Sequence, residues 1–168
     1  MDASTLRNMQ APIKEAYRQD PQSARITLQA SGTLGEGITC NVATGQALAR
    51  AGLHPGTGGD GLSLCSGDML LQALVACAGV TLNAVATALG IELRHAELHA
   101  EGDLDFRGTL GLDRETPVGF RAIRLQFVLD TTATEEELAT LLKLTERYCV
   151  VYQTLAGPVP VSAAFERA

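Results

Sequence analysis

The sequence has no lysine and arginine cluster denser than scattered singles, and its formal charge is −6. Polyanion binding needs a basic footprint, so nucleic acid is not expected as a partner. Residues 1–21, MDASTLRNMQAPIKEAYRQDP, carry charges throughout and lack the continuous apolar stretch of a secretory signal, so a cytoplasmic protein is expected. The four cysteines, at 40, 65, 77 and 149, show neither C-x-x-C nor histidine-paired spacing. That argues against a structural metal centre and for free or redox-active thiols in a reducing compartment. HPGTGGDG lacks the G-K-[ST] ending of a phosphate loop, so nucleotide binding is not expected.

What is present reads as one globular domain: 168 residues, 46% hydrophobic and 19% charged. An amphipathic segment from about Ser4 to Arg18 ends at Asp20–Pro21, which makes residues 1–24 a helical extension and 25–168 the body. From Arg25 apolar residues alternate, Ile26 and Leu28, then Ile38, Cys40 and Val42, around GTLGEG, as in a hairpin with a Gly-rich turn. QALARAG reads as a short helical piece, followed by a long glycine-rich loop to Asp68.

The stretch LLQALVACAGVTLNAV, residues 70–85, is almost wholly apolar and carries Cys77 at its centre. Ser63 or Ser66 can cap this helix, Asp68 suits its first turn, and Gly90 stops it after Leu89. Apolar nearly all round, it must be enclosed by a sheet or by another chain. Residues 69–91 are long enough to span a bilayer, but Gln72, Asn83, the alanines and two glycines weaken that signal, and no membrane is expected.

Alternation continues in IELRHAELHAEGDLDF, with Ala96, Leu98, Ala100 and Leu104 on one face and His95, Glu97, His99, Glu101 and Asp103 on the wet one. His95, Glu97 and His99 could bind a metal, but a solvated strand face is the better reading. GFRAIRLQFVLD alternates through Ile123, Leu125, Phe127 and Leu129 and pairs with that strand by a turn near Thr116–Pro117. Thr134 and Glu137 form a capping box for a second helix with a core stripe of Leu138, Leu141, Leu142, Thr145 and Cys149. VPVSAAFE reads as a last strand. The fold class is α+β, two helices packed on antiparallel sheet.

Two cysteines on the core sides of the two major helices meet if those helices pack together. Such a pair has the logic of peroxide chemistry: one thiolate is oxidised to a sulfenic acid, and the second thiol condenses with it. Mid-helix Cys77 could equally be a small buried hydrophobe. Cys65, before the long helix, is a reserve thiol, and Cys40 is most simply a strand residue.

SGDMLLQALVACAGVTLNAVATALGI, the alternating strands after it, and LLKLTERYCVVYQTL resemble the OsmC/Ohr family, the osmotically induced and organic hydroperoxide resistance proteins. The resemblance spans roughly residues 25–167. It implies an OsmC-like fold in which the long helix is buried at the junction of an intertwined homodimer. It also implies reduction of organic hydroperoxides in oxidative stress defence, with Cys77 attacking and Cys149 resolving. No cofactor is bound, and an external dithiol, such as a lipoylated protein, restores the thiols. The alternative is a non-peroxidase relative binding an apolar or thiol-bearing small molecule at the dimer cleft.

This chain departs from the family pattern at three places. The hairpin GTLGEG lacks the arginine that holds the thiolate, Gly67 stands where a glutamate orients that arginine, and Val150 replaces a proline. Unless Arg25, Arg50, Arg121 or Arg147 reaches in, Cys77 is expected to titrate at or above the free value of about 8.5.

Overall fold

A computed structural model describes residues 2–19, 32–34, 39–44 and 47–167. Helix α1, Ala3–Gln19, starts at Asp2, whose carboxylate accepts the N–H groups of Ser4 at 2.9 Å and Thr5 at 2.8 Å. It packs against the long helix of the body. The expected boundary at residues 24 and 25, with Arg25, Ile26 and Leu28, lies outside the described residues.

Four short strands form the first sheet in chain order: β1 (Gly32–Leu34), β2 (Thr39–Thr44), β3 (Ala47–Gly52) and β4 (Leu64–Cys65). β1 and β2 form a hairpin, Leu34 opposite Cys40, but its first strand is Gly32–Leu34, part of the expected turn. QALARAG is not helical. Ala47–Gly52 pairs residue for residue with Thr39–Thr44, and this hairpin ladder, which closes with Thr44 opposite Ala47, overrides the helical preference of alanine, leucine and arginine. β4 joins β3 in parallel, so the sheet is mixed and not purely antiparallel.

The glycine-rich loop between β3 and β4 is ordered by its own hydrogen bonds. His54 Nδ1 accepts the Gly56 N–H at 3.0 Å, and the His54 carbonyl accepts the Thr57 N–H at 2.8 Å and the Thr57 hydroxyl at 2.9 Å. The His54 ring lies 5.1 Å from that of Phe106.

Helix α2 spans Ser66–Leu89 and ends at Gly90, whose φ of 74° is the left-handed conformation that glycine adopts without a Cβ penalty. Its N-cap is Cys65, not Ser63 or Ser66, and the Cys65 side chain makes no capping bond. Strands β5 (His95–Asp103) and β6 (Ala122–Asp130) pair antiparallel along their whole length, His95 opposite Asp130 and Asp103 opposite Ala122. The link between them is longer than a turn and contains the four-residue helix α3, Phe106–Thr109. Both strands alternate strictly, and the half-buried face presents Ala96, Leu98, Phe127 and Leu129 to the helices.

Helix α4, Glu135–Tyr148, opens on the expected capping box: Thr134 Oγ1 accepts the Glu137 N–H at 3.3 Å, and the Glu137 carboxylate accepts the Thr134 N–H at 2.7 Å. Helix α5, Val150–Ala156, follows directly. The core is the seam where Leu82, Val85 and Ala86 of α2 meet Leu141 of α4. Thr145 and Cys149 continue the buried stripe, whereas Leu142 is exposed.

Among the described residues α2 is enclosed on one side only. Leu74, Ala78, Leu82, Val85 and Ala86 form a single stripe, while Val80 on another face is 75% exposed. By length and composition α2 could also cross a membrane. VPVSAAFE forms no strand: Val161 and Phe165 are fully exposed, because its alternation finds no strand edge among the described residues.

Truncating the seam tests it. Leu141→Ala should cost about 2–5 kcal/mol in chemical denaturation, as for other fully buried leucines. Leu142→Ala should cost far less, and equal losses would contradict the assigned face.

Candidate active site

The packing of α2 on α4 and α5 brings Cys77 and Cys149 into contact, the Cys149 S–H donating to the Cys77 sulfur. Cys149 lies where the backbone leaves one helix and enters the next. Its φ and ψ of −73° and 108° are extended; its N–H closes α4 on the Thr145 carbonyl at 2.9 Å, and its own carbonyl accepts the Gln153 N–H at 2.9 Å. The break precedes Val150 and Val151, a β-branched pair of low helical preference. Consequently the first amides of α5 have no partners in α4 and are free for the sulfurs. Tyr152 donates its N–H to Cys149 Sγ at 3.5 Å.

Val150 and Val151 turn their N–H groups to the other sulfur. Burial pushes the Cys77 thiol up, but hydrogen bonds from the Val151 N–H, the Cys149 S–H and the Val150 N–H, with the Thr81 hydroxyl, outweigh it. The net shift is downward. The Thr81 hydroxyl, four residues on, donates to the Cys77 carbonyl at 2.8 Å and reaches the sulfur by rotation. Cys149 moves the other way: its burial, followed by its bond to Cys77, raises it despite the Tyr152 amide. The two neighbouring sulfurs are therefore shifted in opposite directions, Cys77 down and Cys149 up.

The expected high Cys77 value is thus corrected. Its premise, that only a cation could offset burial, overlooked backbone donors. Among the described residues, no guanidinium is among the groups that shift Cys77. Arg50 is exposed, Arg121 lies 3.8 Å from Asp105, Arg147 lies over the Tyr148 ring, and Arg25 is outside the described residues. Amide donors leave no motif. The only signal in the sequence is the helix break implied by Cys149-Val150-Val151, with Thr81 one turn beyond Cys77.

The remaining candidates stay apart from this pair. Cys65 is partly exposed at the far end of α2, and Cys40 lies on β2. His95 and His99 both face Glu97, at 2.9 and 3.6 Å, on an exposed strand face, and no metal-holding cluster occurs among the described residues. A cavity of about 320 Å³ is lined by Leu74, Phe120, Leu125, Tyr152 and Leu155 among others, with neither Cys77 nor Cys149 in its wall. Leu74 lies one turn before Cys77, and Tyr152 binds Cys149 through its amide.

The domain is α+β and brings two free thiols together where its long helix packs on α4 and α5. The family model for OsmC-like proteins matches residues 58–164, and the chain belongs to that family. No curated protein matches the sequence. Among solved structures it is similar to an OsmC-like protein from Mycoplasma pneumoniae, with a TM-score of 0.66 and 20% identity over 79% of this chain and 89% of that one. An organic hydroperoxide resistance protein from Elizabethkingia anophelis gives a TM-score of 0.64 and 17% identity over 80% and 91%. An organic hydroperoxide resistance protein OsmC from Legionella pneumophila gives 0.62 and 19% over 80% and 92%. These likenesses establish the fold.

The acidity of Cys77 is measurable. In a variant with Cys40 and Cys65 replaced by serine, alkylation of Cys77 followed by mass spectrometry should rise with pH through a midpoint below the free value of about 8.5. Cys149→Ala removes a donor to the sulfur and should move that midpoint upward. A midpoint near 9 in the parent would contradict the arrangement of donors.

Proposed function

We propose that the protein reduces organic hydroperoxides with this thiol pair, in defence against oxidative stress. The observation that carries the reading is the contact between Cys77, whose thiol is shifted down, and Cys149, whose thiol is shifted up. The Cys77 thiolate attacks the terminal oxygen of ROOH and the O–O bond breaks. The alkoxide takes a proton and leaves as ROH, and Cys77 becomes a sulfenic acid. Cys149, as thiolate after losing its proton, attacks the sulfenic sulfur, and the hydroxyl departs with a proton as water, leaving a disulfide. An external dithiol, free or on a lipoylated protein, reduces it by thiol–disulfide exchange. No bound cofactor is needed, and the reducing setting this cycle requires fits a cytoplasmic protein.

The working unit in this reading is a homodimer. The exposed apolar side of α2 would bring a large apolar patch into water in a single chain, and burial against a second copy removes it. Sedimentation at micromolar concentration should give a dimer, and Val80→Asp should abolish it. A stable monomer of the parent protein would count against the dimer.

One equivalent of cumene hydroperoxide should produce a Cys77–Cys149 disulfide visible by peptide mass spectrometry. Cys77→Ser should abolish thiol-dependent peroxide consumption. Cys149→Ser should leave a sulfenic acid on Cys77 that climbs to sulfinic acid under excess peroxide. Undiminished turnover by Cys77→Ser, or equal residual turnover in the two variants, would refute the assignment.

A further inference from the structure

The cavity that Leu74 and Tyr152 line has a defined far end. The Phe120 ring lies between the first turn of α2 and the end of β5, where two glycines make room for it. A Cβ on Gly102 would come within 2.4 Å of the ring, and one on Gly67 would touch it at 3.4 Å. A side chain at residue 102 and this ring cannot share that space. Gly67 precedes Cys77 by ten residues, about 15 Å along the helix axis, and Leu74, between them on α2, lines the same cavity as Phe120. Leu74, Leu125, Tyr152 and Leu155 give it a mainly apolar wall, and its charged neighbour Arg121 is engaged by Asp105 at 3.8 Å.

We infer that Phe120 is a specificity-determining end-stop, which sets the length of the apolar hydroperoxide that the cavity holds against Cys77. This rests on the peroxidase reading and adds the substrate's shape to it. The ring occupies the end of the channel, so a chain extending beyond it has no space to enter. Removing the ring opens the channel toward Gly67 and Gly102. Restoring a side chain at residue 102 drives the ring toward the open cavity and shortens it. The two changes therefore act in opposite directions on the same quantity.

The test compares kcat/KM for tert-butyl, cumene and dodecyl hydroperoxides, with thermal unfolding to verify folding. Phe120→Ala should raise the dodecyl to tert-butyl ratio by on the order of tenfold, the scale on which apolar pockets discriminate size. Gly102→Ala should lower that ratio, and the double variant, without a ring to displace, should behave as Phe120→Ala. Displacement of a bound apolar fluorophore by linear alcohols of increasing length reads the same gauge without turnover. Turnover with a ratio unchanged in Phe120→Ala, or shifted the same way by both single variants, would overturn the end-stop. Absent turnover with a length limit that moves in Phe120→Ala would refute the peroxidase reading and leave the end-stop standing.

Discussion

The arrangement depends on the seam where α2 lies against α4 and α5. Leu82, Val85 and Ala86 close on Leu141 there, and the same stripe continued along α2 places Leu74 and Ala78 beside the thiols. Side chains in such a seam are fixed by close packing. The sulfurs inherit that precision: Cys77 is mid-helix, Cys149 is held at the junction of two helices, and their contact is set by the register of one helix against another.

That register explains which donors reach Cys77 among the described residues. A buried thiolate needs donors, and three of the four groups that supply them here belong to residues 149, 150 and 151. The chain obtains them by interrupting a helix, which releases amides from their usual carbonyl partners. A guanidinium would bring a full charge and its own desolvation cost into the same apolar setting. Amides bring dipoles already oriented by the backbone, so an anion can be held with little rearrangement.

Much of this was legible in the sequence. The apolar run ending at Gly90 marks α2 to its last residue, Thr134 and Glu137 announce the start of α4, and the alternation of β5 and β6 identifies their inner faces. These signals are local. What was not legible depends on which segments pair with one another, not on a segment's own pattern. Ala47–Gly52 has the composition of a helix and becomes a strand because β2 pairs with it. VPVSAAFE has the alternation of a strand and remains unpaired for want of an edge among the described residues. The sulfur's donors are main-chain groups, which every residue except proline carries, so no side-chain pattern reveals them. The acidity of Cys77 was misjudged for that reason.

The placement of Cys149 at the junction of two helices also sets a concentration scale. Holding one thiol against another makes their reaction unimolecular, with an effective concentration far above that of any solute. Glutathione and other small thiols would need to outcompete a neighbour already in place. Mixed disulfides on Cys77 would therefore be short-lived, displaced by Cys149 before they accumulate. In the proposed cycle the seam would then favour dithiols able to follow their first attack with a second.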